Sequence, residues 1–131
     1  MKEKVHMGVR LFFGVAFIVF GFNGFFSFLP NPTMSEKAGS LLQAFAATGY
    51  FFPMIKAIEL FTGLLLVFNT FAPFACILIT PVMIGITTIH LFLNPDGLPM
   101  MLALHLMHGY LIYGYQSYYR GLFASNAKSF S

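Results

Sequence analysis

Long intervals without a charged residue constrain this chain more than any other feature of its sequence. No Asp, Glu, Lys or Arg lies between Arg10 and Glu36, between Glu59 and Asp96, or between Asp96 and Arg120. An α-helix that crosses the hydrocarbon core of a bilayer, about 30 Å thick, needs roughly 20 mostly apolar residues. Each interval can hold at least one such helix, so the sequence predicts an integral membrane protein.

Composition excludes several classes of protein. Only 8% of the residues are charged and 58% are hydrophobic, whereas a soluble domain carries roughly 25% charged residues. Cys76 is the single cysteine, which excludes an intrachain disulfide, a Cys-x-x-Cys redox pair and a cysteine metal cluster. The net charge of +3 comes from basic residues beside the predicted helices, so nucleic-acid binding is not expected.

The apolar intervals predict an all-α fold of four transmembrane helices in a single membrane domain, residues 1–131. Three prolines support the placement, because each falls in the first turn of a predicted helix, where the missing N–H has no cost. These are Pro53, Pro73 and Pro99. The predicted transmembrane helices cover residues 8–29, 50–71, 73–93 and 98–116, and a tail covers residues 120–131.

A shorter helix is predicted between the first two transmembrane helices, over residues 33–49. Thr33 and Glu36 have the spacing of a capping box, in which the two side chains close the first turn of a helix. Apolar residues then recur at helical spacing over residues 38–46. Because this helix is amphipathic and too short to cross a bilayer, we expect it on the outer surface.

Basic residues predict the orientation. The loop between the first two transmembrane helices carries Lys37, which Glu36 offsets. Cytoplasmic segments of membrane proteins are enriched in Lys and Arg, so both termini are expected in the cytoplasm and the protein in a cell membrane. The basic residues on the side that the termini share are Lys2, Lys4, Arg10, Arg120 and Lys128.

Every predicted transmembrane helix carries a strongly polar side chain at a similar depth in the outer half of the membrane. Lys56 and Glu59 are three residues apart and therefore share a helix face, as do His105 and His108. Ionisable groups inside a membrane usually face the interior of a bundle or a watery cavity. The candidate site residues are Asn23, Lys56, Glu59, His90, His105 and His108.

Three interpretations of this polar set stay open. In the first, the side chains line an outward-facing pocket that binds a ligand or moves protons, because Glu59 can accept a proton and histidine exchanges one near neutral pH. In the second, Lys56 and Glu59 form a structural ion bridge. In the third, His90, His105 and His108 bind a metal ion with Glu59, although Lys56 would place a second positive charge beside that ion.

Short motifs in the same helices carry a family resemblance. They are Arg10, Gly21-Phe22-Asn23-Gly24, Lys56-Ala57-Ile58-Glu59, Gly63 and His90. With these motifs, residues 8–116 resemble the DoxX family of small four-helix membrane proteins. Members of that family often carry a lysine shortly after the glycine of the first helix. Here Asn23-Gly24 stands at that place, so the role of that lysine does not transfer.

The resemblance implies a four-helix bundle and a partnership in redox chemistry, since relatives include a subunit of a thiosulfate-oxidising, quinone-reducing complex. We therefore expect a small subunit or binding module of a membrane redox assembly. A quinone is the candidate cofactor, and a redox protein or a second copy of the chain is the candidate partner. Whether the chain is itself an oxidoreductase subunit stays open. The alternative is a non-catalytic membrane scaffold whose polar cluster is structural.

Overall fold

All regular secondary structure is helical in this computed structural model, which describes residues 1–27 and 33–130. Within those ranges no β-strand occurs, so the predicted all-α class is confirmed. The predicted end of the first transmembrane helix at Leu29 and the last residue of the predicted tail, Ser131, lie outside the described residues. The α-helices are α1 (Lys2–Phe26), α2 (Glu36–Ala47), α3 (Phe51–Val67), α4 (Ala72–Phe92), α5 (Leu98–Gly114) and α6 (Gln116–Tyr119). Short 3-10 helices cover Pro95–Gly97 and Arg120–Phe123.

Local backbone chemistry accounts for several helix ends. Pro73 and Pro99 stand in the first turns of α4 and α5, where no intrahelical N–H bond is lost. Helix α3 ends at Val67, earlier than its predicted end at residue 71, because the chain turns sharply there. Asn69 and Phe71 have φ angles of 52° and 51°, in the left-handed region that a right-handed helix cannot continue through.

Helices α1, α3, α4 and α5 pack side by side in a ring. Helix α1 lies between α3 and α5, and α4 closes the ring on the other side of the same two helices. The closest approach is between α1 and α3, where Gly14 and Gly63 face each other. The core between the helices is apolar. Its fully buried members include Phe13, Leu66, Cys76, Ile79 and Leu111.

The outer face of this ring also carries large apolar side chains. Phe12, Phe61 and Leu106 are 65%, 51% and 67% exposed, an arrangement that is costly in water but suits lipid. Helices α1 and α4 are each long and apolar enough to cross a membrane. Helices α3 and α5 have 17 residues each, which is at the lower limit for a span.

Helix α2 lies across one end of the ring, which we call the α2 end. It meets α3 at a bend of 93°. Ser35, rather than the predicted Thr33, is its N-cap residue, because the Ser35 hydroxyl accepts a hydrogen bond from the Ala38 N–H at 3.2 Å. The same hydroxyl donates to the Leu93 carbonyl, and the Asn94 side-chain oxygen accepts from the Ser35 N–H at 3.3 Å. These bonds tie the start of α2 to the end of α4.

Replacing Ser35 with alanine should therefore loosen α2 without disturbing the ring of four helices. Loss of an N-cap hydroxyl costs about 1 kcal/mol of local stability. We expect faster amide hydrogen exchange over the first two turns of α2, measured by mass spectrometry. Ser40→Ala, an exposed position on the same helix, is the matched control, and equal exchange in the two variants would contradict the anchoring role of Ser35.

Candidate functional site

A cavity of about 560 Å³ lies at the α2 end, between α2, α3 and α4. Most of its wall is apolar, and aromatic side chains lie where α2 meets α3. There the ring of Phe45 stacks on that of Phe51, with centroids 4.2 Å apart and planes inclined by 13°. The polar side chains on the wall include Lys56, Glu59 and His90, so the structure brings together three of the six predicted site residues.

Lys56 and Glu59 form an ion pair at this wall. The Lys56 ammonium lies 3.1 Å from a Glu59 carboxylate oxygen, and helical spacing of three residues places both side chains on the same face of α3. The Glu59 side chain is 2% exposed and that of Lys56 26% exposed. Lys56 reaches this position by crossing α1 at Gly24, where an added Cβ would overlap its Cγ and Cδ atoms. A buried carboxylate is therefore neutralised by a cation that faces the cavity.

His90 lies on the cavity wall in the last turn of α4. Its ring nitrogen Nδ1 is 3.3 Å from the Asn94 carbonyl oxygen. The ring packs against Gly97, where an added Cβ would overlap it. The histidine is thus held by the turn that leads into α5, with its ring between that turn and the cavity.

His105 and His108 lie between α4 and α5 and do not line the cavity. The His105 Nε2 atom is 2.5 Å from the Thr87 hydroxyl. His108 is buried, its ring stacks on Phe13 with centroids 5.8 Å apart, and its Nε2 donates to the Cys76 carbonyl at 2.7 Å. The two histidines are therefore in interhelical hydrogen bonds, separated from the cavity by α4.

The bond from His108 falls beside the proline inside α4. Pro81 has no N–H, so the helix loses one of its internal hydrogen bonds at this level. The neighbouring Cys76 carbonyl accepts from both His108 and the Thr80 hydroxyl, each at 2.7 Å. Pro81 itself lines the cavity. This part of α4 thus presents Pro81 to the cavity and the hydrogen-bonded Cys76 carbonyl to α5.

The sixth predicted residue, Asn23, is half-buried on α1 beside Gly24 and is not on the cavity wall. Within residues 1–27 and 33–130, no three His, Cys, Asp or Glu side chains are grouped so that they could hold a metal ion. Glu59 and the three histidines of the metal-site interpretation are among these described residues, so the geometry does not support that interpretation.

Two features were not predicted from the sequence: the aromatic part of the cavity wall, and a buried hydroxyl on α3 that does not line the cavity. The aromatic side chains of Phe45, Phe51 and Phe52 line the cavity, yet phenylalanine is too frequent in this chain to signal a site. Thr62 is fully buried one turn after Glu59, and its hydroxyl has no hydrogen-bond partner among the described residues. Its spacing from Glu59 on an otherwise apolar helix was a usable signal.

Sequence similarity relates this chain to a known protein family. No curated protein and no solved structure gives a significant match to the chain. The DoxX family model matches residues 6–91, which is more than half of the chain. The match includes most of α1, all of α2 and α3 and nearly all of α4, and with them Lys56, Glu59 and His90. This chain is a membrane protein that belongs to the DoxX family.

Proposed function

We propose that the cavity at the α2 end binds a small, flat, mostly apolar molecule with a polar end, and that a quinone is its ligand. The observation that carries the proposal is the Lys56–Glu59 pair on the wall of an otherwise apolar cavity. Ligand sites typically enclose about 300–1,000 Å³ and combine apolar walls with a few polar groups that orient the ligand. The cavity, at about 560 Å³, has that size and that composition.

The two kinds of side chain on the cavity wall suit the two parts of a quinone, its apolar ring and tail and its polar carbonyl groups. Phe45, Phe51 and Phe52 offer ring faces and edges to a flat ring or an apolar tail. The Lys56 ammonium can donate a hydrogen bond to a carbonyl oxygen of the ligand, and Glu59 can accept or return a proton beside it. Reduction of a quinone to a quinol consumes two electrons and two protons. In this proposal the chain handles the protons and a partner redox protein supplies the electrons.

The same proposal includes a topology. Helices α1, α3, α4 and α5 cross the bilayer of a cell membrane, both termini are cytoplasmic, and α2 lies on the outer surface as a cover of the cavity. The clustering of Lys2, Lys4 and Arg10 at the start of α1 supports this orientation. Asn23, His105 and His108 then lie behind the cavity wall, where they set the positions of α1, α4 and α5.

Filling the cavity should weaken ligand binding strongly without unfolding the protein. Gly85 on α4 lines the cavity, and no atom lies within 4 Å of a Cβ added there. We expect Gly85→Leu to lower the affinity for a short-chain quinone at least tenfold, because its side chain would occupy ligand space. The assay is photolabelling with an azidoquinone in nanodiscs, followed by peptide mapping.

Gly109→Leu is the matched control, because Gly109 on α5 has equally open space around it and does not line the cavity. Labels in the wild type are expected on α2, α3 and the second half of α4, and they should disappear only in Gly85→Leu. Labels spread evenly over the lipid-facing helix surfaces, or labelling that Gly85→Leu leaves unchanged, would refute the quinone proposal.

The second candidate function is a membrane scaffold in which the ion pair is purely structural. The 3.1 Å distance between Lys56 and Glu59, within one helix, favours it. A scaffold of this kind would retain its partner when both charges are replaced by apolar side chains. The paired substitution described in the Discussion separates the two functions.

A further inference from the structure

A second cavity, of about 930 Å³, lies at the opposite end of the ring from α2. Its walls are the first turns of α1, the turn between α3 and α4, and the end of α5. Unlike the first cavity, it is rich in polar side chains. Those with a cationic or neutral donor group include Lys2, His6, Arg10, Tyr110, Tyr115 and Tyr118.

Arg10 is the buried cation of this cavity, with 8% of its surface exposed. Its Nη1 group donates to the Leu66 carbonyl and, at 3.5 Å, to that of Val67. These are the last carbonyls of α3, which attract a cation because the negative end of the helix dipole lies there. The bonds hold a planar, multiply donating guanidinium at the cavity wall.

The start of α4 adds further positive potential. Ala72 and Pro73 line the same cavity, and no side chain caps this end of the helix. Pro73 contributes no N–H, but the positive end of the helix dipole favours anions. One carboxylate, that of Glu3, also lines the cavity. It offsets the charge of one of the two cations, Lys2 and Arg10, so the charged side chains on the wall leave a net positive charge.

Aromatic side chains surround these charges. The His6 ring packs against Tyr110 and Tyr115, with centroid distances of 5.4 Å and 4.7 Å, and its Nε2 lies 3.2 Å from the Leu111 carbonyl. The Tyr115 phenol also lines the cavity and is a hydrogen-bond donor at neutral pH. Tyrosines are also typical of the depth at which lipid headgroups lie.

We propose that this second cavity binds a phosphate group, carried by an anionic phospholipid of the adjacent leaflet or by the free anion. Arginine and a helix N-terminus both bind phosphate through several N–H groups, and tyrosine hydroxyls complete the set. The inference is independent of the quinone proposal, because the two cavities lie at opposite ends of the bundle and share no lining residue.

Native mass spectrometry of the purified chain, with phosphatidylglycerol and phosphatidylcholine supplied in equal amounts, tests this site. We expect at least a tenfold preference for phosphatidylglycerol in the wild type. Lys2→Gln should reduce that preference about threefold and Arg10→Gln should abolish it. Lys37→Gln removes a comparable exposed charge at the α2 end and should change nothing.

Inorganic phosphate, added to the chain in phosphatidylcholine nanodiscs, shows whether the bound phosphate group belongs to a lipid or is the free anion. Phosphate binding in these nanodiscs, weakened by Lys2→Gln, would identify the free anion as a ligand. If phosphate does not bind but the wild type strongly prefers phosphatidylglycerol, the ligand is the lipid. Because Arg10 also stabilises the end of α3, a failure of Arg10→Gln to fold leaves Lys2→Gln as the deciding variant. The proposal is overturned if the wild type shows neither form of binding, or if Lys2→Gln behaves like Lys37→Gln.

Discussion

Replacing Glu59 alone with leucine is expected to destabilise the protein far more than replacing Glu59 and Lys56 together. Loss of one member of a buried ion pair leaves the other charge without compensation, at a cost of about 3–5 kcal/mol. Lys56 is 26% exposed and can turn towards the cavity, so we expect about 3 kcal/mol, at the lower end of that range. The combination of Lys56→Met with Glu59→Leu removes both charges and should cost about 1 kcal/mol or less.

Unfolding of the purified protein by titration with SDS in mixed micelles measures these differences. Glu36→Gln, at an exposed position in the first turn of α2, is the control and should unfold like the wild type. If Glu59→Leu is as stable as the wild type, or if the double variant is no more stable than Glu59→Leu, the two side chains do not stabilise each other as the geometry indicates.

The double variant also decides between the two candidate functions. Its fold should be intact, yet it lacks both polar groups that the quinone proposal needs. Loss of azidoquinone labelling in a stable double variant would support the ligand site. Retention of labelling would show that Lys56 and Glu59 do not contact the ligand and would favour the structural ion bridge.

The second large effect is expected at the crossing of α1 and α3. A Cβ added at Gly63 would lie 2.6 Å from the Gly14 carbonyl oxygen and 2.8 Å from the Ile18 backbone nitrogen. Backbone atoms cannot turn aside as a flexible side chain can, so the two helices would have to separate. Overpacking of this kind costs about 1–3 kcal/mol for an added methyl group, and Gly63→Leu should cost more than Gly63→Ala.

Thermal unfolding in detergent, followed by the loss of helical circular dichroism, checks this expectation. Gly109→Ala introduces the same methyl group inside α5, where no atom lies within 4 Å, and should leave the melting temperature unchanged or raise it slightly, because alanine favours a helix over glycine by up to about 1 kcal/mol. A melting temperature of Gly63→Ala equal to that of Gly109→Ala would mean that α1 and α3 do not approach as closely as described. Close contact through glycine is a common mode of packing between helices in membranes.

Part of the candidate site was predictable because it depends on spacing within one helix. Lys56 and Glu59 had to share a face, and their burial followed from the apolar residues around them. The prediction that Asn23, His105 and His108 would join Lys56 and Glu59 in one site depended only on their similar depth in the membrane. Similar depth does not bring side chains together, because each helix can be rotated about its own axis.

The sequence by itself determined that this chain is helical, that its helices present apolar side chains outward, and that charged groups are confined to a few positions. These properties follow from runs of residues along the chain, and lipid imposes them on any sequence that is to cross it. Only the tertiary structure decided which polar groups meet. The rotation of α4 turns Pro81 and His90 towards the cavity, and Thr80 and Thr87 towards the histidines of α5. That rotation is set by packing against α3 and α5 at once, which no single segment of sequence encodes.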